Sequence, residues 1–222
     1  VFTMTINEIK EQLKQYDRKQ LYREKVIKMQ KAMAEQGIDG IICFKPQNTF
    51  FLSGFNPILY SHPVVVVIPQ EGNAVLLVHS LRARHSADEA AIEDIRLFGM
   101  WANQKPIAND AYSAIDIIVS DLRMKGKVLG YEGDFISLSQ YQKLQDITQA
   151  TKMVDVSDFL KRSRNIKDEY EINLLRLSSY LTSVGMEAAL ANIRKSEAEA
   201  SIAAEIAMRE TWAKELSEFE IS

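Results

Sequence analysis

Three histidines, a lone cysteine and a tryptophan in a polar loop are the side chains best suited to chemistry in this chain. His62 follows Leu59-Tyr60-Ser61, in a loop that leaves a glycine-containing turn and enters an apolar run. A side chain there is held by rigid neighbours and stays accessible, so Tyr60 and His62 are candidates for facing a ligand. Trp101 lies in Gly99-Met100-Trp101-Ala102-Asn103-Gln104-Lys105-Pro106. A large aromatic in such a loop either plugs its own domain or offers apolar area to a partner. His79 closes a run of apolar residues and His85 lies on a polar stretch, which suits surface or edge roles. Cys43 sits inside Gly40 to Phe44 and reads as buried and inert, because a reactive thiol needs exposure and a positive neighbour.

Devices for metal or nucleotide chemistry are absent from the sequence. It contains no His-Glu-x-x-His, no paired Cys-x-x-Cys and no Gly-x-x-x-x-Gly-Lys, and Gly126, Gly130 and Gly133 lack dinucleotide spacing. Asp155, Asp158, Asp168, Glu169 and Glu171 fall at or near helix starts, where a carboxylate stabilises free amide donors, so they read as caps rather than ligands. Trp212, on an alanine-rich helix, reads as core or as cover for further structure.

The elements that must position these residues follow from periodicity. Ile6 to Gln36 has helical spacing, with Val26, Met29 and Met33 on one stripe, and Gly37 ends it. Ile38 to Phe44 is a short β-branched run, a strand covered on both faces. Asn48 is a candidate N-cap for a short helical or turn segment over 49–55 that ends at Gly54. His62 to Pro69 and Ala74 to His79 make an antiparallel hairpin around the turn 70–73. Ser80 to Ala91 reads as helix, Ile92 to Phe98 as strand, and 99–106 as irregular loop. A helix over 110–123 is closed by Gly126. After it come strand 127–131, helix 137–148 with Leu138, Tyr141 and Leu144 inward, and strand 153–156. Strands and helices alternate to about residue 156, which implies an α/β mixed sheet with helices on both faces.

The pattern then changes. Asp168 with Glu171 and Ser196 with Glu199 form capping boxes that open two long helices. The first carries Tyr170, Leu174, Leu177, Leu181, Val184, Ala188 and Ala191 on one stripe and Ile172, Leu175, Met186 and Ala189 on another, so it needs cover on more than one side. Phe219-Glu220-Ile221 begins a strand-like alternation. The reading is a domain over 1–160 and, over 161–222, a linker with the first helices of an incomplete α+β domain, as if the chain were cut within it.

Twenty-seven basic and 30 acidic residues leave a charge of -3, without a long run of one sign, which argues against nucleic acid or anionic lipid as partner. The longest apolar run, Pro63 to Pro69, is too short for a membrane span, the amino terminus lacks a signal-peptide core, and one cysteine suits a reducing compartment. A cytoplasmic protein is the expectation.

Two stretches carry a resemblance to a known family. The first is Ala34-Glu35-Gln36-Gly37-Ile38-Asp39-Gly40 with Asn48-Thr49-Phe50-Phe51-Leu52-Ser53-Gly54-Phe55 and the valine strand. The second runs from Val154-Asp155-Val156-Ser157 to Leu160-Lys161-Arg162-Ser163-Arg164-Asn165-Ile166-Lys167-Asp168-Glu169-Tyr170-Glu171-Ile172. Together they resemble the creatinase/prolidase family: its amino-terminal domain and the junction into its "pita-bread" catalytic domain.

The resemblance implies a two-domain homodimeric hydrolase. In Xaa-Pro dipeptidases and aminopeptidases of this kind, two divalent ions, often manganese, activate water to attack the peptide bond before proline. Creatinase shares the fold and works with a catalytic histidine instead. In both, the reacting groups lie in the second domain. No histidine follows His85 here, so no catalytic or metal residue is carried over and this chain alone is not expected to be an enzyme. The first domain of such proteins lies over the partner subunit's active site. Loops 56–62 and 99–106, with Tyr60, His62 and Trp101, would do that here, as substrate-pocket or dimer contacts for a small peptide or small amide. Creatinase places an arginine near the first loop where this chain has Tyr60-Ser61-His62, which counts against creatine. The alternatives are a creatinase-type relative and a non-catalytic peptide- or protein-binding module of the same fold.

Overall fold

The computed structural model describes residues 4–219, which divide into two compact units. Asp17–Ile166 forms one, and the residues before and after it form the other.

In the central unit six strands make one sheet: β1 (Gly40–Cys43), β2 (Val65–Pro69), β3 (Val75–His79), β4 (Asp94–Phe98), β5 (Val128–Tyr131) and β6 (Lys152–Asp155), in the order β4-β3-β2-β1-β5-β6. β2 is antiparallel to β1 and β3, whereas β4 follows β3, and β5 and β6 follow β1, in parallel. Every strand except β2 therefore ends at one edge of the sheet.

Alternation along the strands decides what each face buries. Ile41, Cys43, Val66, Ile68, Leu76 and Val78 point into one core with Met29 and Met33 of α2 (Arg18–Glu35), Leu52 of α3 (Pro46–Ser53) and Leu160 of α7 (Ser157–Asn165). Ile42, Val65, Val67, Val75, Leu77 and Leu129 point the other way, onto Ile115 and Ile118 of α5 (Ala111–Asp121) and Leu144 of α6 (Leu138–Thr148). The valine run is continuous because both of its faces are covered. Each such side chain contributes about 1.5–3 kcal/mol of burial. The expected mixed α/β architecture with helices on both faces is the one found.

Several local expectations need correction. The segment 6–36 is two helices, α1 (Ile6–Lys14) and α2, because Asp17 caps the second by accepting from the Gln20 amide. The halves bury different faces: Ile9 and Leu13 join one cluster, and Val26, Met29 and Met33 join the sheet. Asn48 is not a cap, since α3 starts at Pro46 after Lys45, and the Asn48 amide is used elsewhere. Leu138 is 73% exposed rather than inward, as the first residue of α6 after its cap Ser137. The stretch 80–91 is a 3-10 turn, Ser80–Arg82, followed by α4 (Ala83–Glu89). Helix α7, absent from the elements read above, buries Leu160.

In the other unit, α1 packs with α8 (Glu169–Ala191) and a π-helical turn over Trp212–Leu216 around Ile9, Leu13, Leu177 and Leu216, and α9 (Glu197–Thr211) packs on α8. Both capping boxes form as read. Gly185 of α8 faces Met208 of α9, where a Cβ would meet the Met208 side chain at 2.8 Å. Leu175, Met186, Leu190, Ile202 and Ile206 remain half or more exposed. Trp212 is 41% exposed, and the alternation read at 219–221 runs beyond the described residues. Among the described residues no helix is long and apolar enough to cross a membrane.

Candidate functional site

The edge where five strands end gathers the segments that matter. Phe44-Lys45, His79-Ser80, Phe98-Gly99, Tyr131-Glu132 and Asp155-Val156 leave the sheet there, and His62 to Val64 enters it. In open α/β sheets this is the edge at which ligands bind.

Segment 56–63 is fastened from several sides. The Asn56 amide donates to Glu89 Oε2 at 3.1 Å, and the same carboxylate oxygen lies 3.1 Å from His85 Nε2. Arg82 donates to the Leu59 carbonyl at 3.2 Å. The Asn56 side chain accepts from the Ile58 amide at 3.0 Å, and Ile58 stands at φ 62° with 84% of its surface exposed. A β-branched residue in the left-handed region is a strained choice that the surrounding bonds must hold. Ala102, in the second loop, shares that conformation at φ 48°.

The candidate residues lie on these two loops. Tyr60 is 39% exposed, and burial of its ring pushes the phenol upward against a hydrogen bond with Thr49. Trp101 is 52% exposed, beside Met100 at 68%. His62 stacks on His79 with ring centroids 3.9 Å apart, while His79 meets Phe98 edge-on at 5.3 Å. His62, His79 and the start of the Trp101 loop are thus brought to one place. The His62–His79 pairing had a signal that sequence reading passed over. With Val65 opposite Leu77, the hairpin register sets position 63 opposite His79.

Glu132, which sequence reading missed, is the buried charge of this edge, with no exposed surface. Its Oε2 accepts from the Phe44 and Lys45 amides at 2.5 and 2.7 Å, and Oε1 from the Asn48 side chain at 2.6 Å. Burial raises its pKa, and the three donors oppose that rise. The Cys43 thiol is pushed well up by burial, and by the Glu132 charge. These groups tie β5 to the turn after β1; their role is to hold the edge in shape.

A cavity of about 240 Å3 opens at the opposite edge, against Tyr22, Val26, Gly72, Ala74 and Asp94. It gathers no nucleophile or proton-transfer pair, so the loop edge is the better candidate. Among the described residues no three His, Cys, Asp or Glu side chains come together as a metal site. The described residues therefore offer no donor set for a divalent-ion centre.

Residues 25–166 match the family described as the creatinase/prolidase N-terminal domain. Creatinase of a Bacillus species is 23% identical over 79% of this chain and 41% of its own length. Xaa-Pro dipeptidase of Pyrococcus furiosus is 22% identical over 83% of this chain and 47% of its own. Among solved structures, the prolidase of Pyrococcus horikoshii superposes with a TM-score of 0.65 at 22% identity, over 85% of this chain and 49% of that one. The chain spans less than half the length of these relatives. A family match over residues 25–166, on the mixed sheet just described, places this chain in the creatinase/prolidase family, whose N-terminal domain it carries.

Proposed function

We propose that this chain is the amino-terminal part of a metal-dependent hydrolase acting on Xaa-Pro peptides. Loops 56–62 and 99–106 close over the substrate pocket of a second subunit, and Tyr60, His62 and Trp101 supply the contacts. In this reading two divalent ions, manganese among the choices, belong to the part of the parent protein that follows residues 161–222. Those residues are the start of its catalytic domain, the assembly is a homodimer, and the location is the cytoplasm. The chain contributes enclosure and orientation: its aromatic and imidazole groups pack on the substrate and exclude water from the reacting bond.

The observation that carries the reading is the pair of loops at the carboxyl edge. Both hold a non-glycine residue in a strained conformation, and both present apolar side chains to the outside. Strain held by surrounding bonds beside exposed Leu59, Tyr60 and Trp101 is what a preformed contact surface requires. A creatinase-type activity is the competing reading, supported by the Bacillus relative.

The test is to express the full parent reading frame and assay Xaa-Pro dipeptides and creatine, with and without manganese. Manganese-dependent cleavage of the dipeptides supports the proposal. Turnover of creatine alone, or of neither substrate, refutes it. The 222-residue chain by itself is expected to turn over neither.

A further inference from the structure

His62 and His79 meet almost face to face, with centroids 3.9 Å apart and ring planes 19° from parallel. The contacts around His79 favour a neutral ring. His79 Nδ1 accepts the Leu81 backbone amide at 3.1 Å, so that nitrogen carries no proton and the ring proton sits on Nε2. The Nε2 side lies against Gly99, at φ 71°, where a Cβ would come within 2.3 Å. Glycine there is what leaves room for the ring. His62 Nδ1 lies 3.1 Å from the Ser61 hydroxyl.

The charged neighbours do not compensate an imidazolium at this place. Burial, and then the His62 charge, lower the pKa of His79. Arg82, on the turn after β3, carries a positive charge and holds the Leu59 carbonyl. On α4, Glu89 is occupied by the Asn56 amide and His85. Tyr60 bonds Thr49 of α3, and Phe98 at the end of β4 and Gly99 after it, which meet His79, carry no charge. Among the described residues neither His62 nor His79 is paired with a carboxylate.

We propose that the His62–His79 stack is a pH-sensitive latch: two neutral rings hold segment 56–63 against the end of β3, and protonation of the pair in mildly acid solution releases it. Two imidazoliums at this separation repel one another. A proton on His79 Nδ1 also removes the acceptor of the Leu81 amide. Segment 56–63 then keeps the Asn56–Glu89, Leu59–Arg82 and Tyr60–Thr49 bonds but loses its hold on the end of β3. The latch concerns the position of the segment, whatever the segment faces, and stands apart from the substrate reading.

The test is an NMR titration of the full 222-residue chain from pH 7.5 to 5, following the ring signals of His62, His79 and His85 and the amides of Ile58 to Ser61. His79 is expected to titrate below the usual histidine range. The loop amides should move in step with the pair while Ile41 and Leu76 in the sheet stay fixed. In His62→Gln the titration of His79 should rise toward the ordinary value, and in His79→Gln the loop amides should lose their response. Loop amides that stay put through both ring titrations in the unaltered chain overturn the latch, even if neither variant folds. A response unchanged in either variant overturns it too.

Discussion

The Asn48 side chain donates to the buried Glu132 carboxylate at 2.6 Å, which ties the start of α3 to the end of β5 across 84 residues of sequence. A carboxylate without exposed surface, fixed by three donors, turns the loop edge of the sheet into a rigid frame. Removing it should show in stability. Glu132→Ala strips three donors of their acceptor and is expected to cost about 3 kcal/mol, whereas Glu132→Gln should cost about 1 kcal/mol. The glutamine is milder because Asn48 can turn its amide, whose Oδ1 has no partner, to meet the new NH2. Urea unfolding at neutral pH measures both, and equal costs would contradict this account.

The same carboxyl sets a pH dependence. Its folded pKa stands above the ordinary value because burial outweighs the donors, so the folded state binds the proton more tightly than the unfolded chain. The stability from this group is full below the ordinary carboxylate value and is lost as pH rises through the raised one. Unfolding free energies across that window should decline for the native chain, and the decline should be absent in Glu132→Gln.

Gly99→Ala is expected to destabilise by about 1–3 kcal/mol, since the residue is held at positive φ and the new Cβ would enter the His79 ring. Thermal unfolding gives the size. A shifted His79 ring signal at pH 7.5 would show that the imidazole has been displaced.

Cys43 should be inert. Its thiol is buried and its pKa is held well above the usual range by desolvation and by Glu132, so the reactive thiolate is scarce. A thiol reagent should label it at least tenfold more slowly in the folded chain than in denaturant, and equal rates would mean that the core opens readily.

In the full parent protein, Trp101→Ala and Tyr60→Ala should raise KM for an Xaa-Pro dipeptide several-fold with a smaller change in kcat. Both side chains are half-exposed, so neither substitution should lower Tm by more than a few degrees. A fall in kcat with KM unchanged would remove these residues from substrate enclosure.

Much of the central unit was legible because its signals are local and agree with one another. The valine run between Pro63 and Pro69 has both faces covered, and Gly37 stands at positive φ where α2 ends; α5, by contrast, ends at Asp121 rather than at Gly126. The capping boxes at Asp168 and Ser196 form as their spacing dictates. What could not be read depends on partners far away in sequence. Asn48 looks like a cap until Glu132 arrives from β5, and the helix break at Asp17 reflects two halves buried against different elements. Of the candidate site, the loops were legible from their composition. The His62–His79 stack needed the hairpin register carried beyond the start of β2 at Val65, and Glu132 looked like one more surface acid.

Because α1 packs with α8 and the turn ending at Leu216, the sheet unit is inserted in sequence between the two halves of its neighbour. On a ribosome, α1 emerges before the sheet unit and has no lasting partner until α8, about 155 residues further on, has been made. The sheet unit can meanwhile fold as each strand appears. Ile9 and Leu13 must stay out of other apolar contacts through that interval. The order of synthesis, more than the strength of any one contact, therefore makes α1 wait for the sheet unit before it can dock.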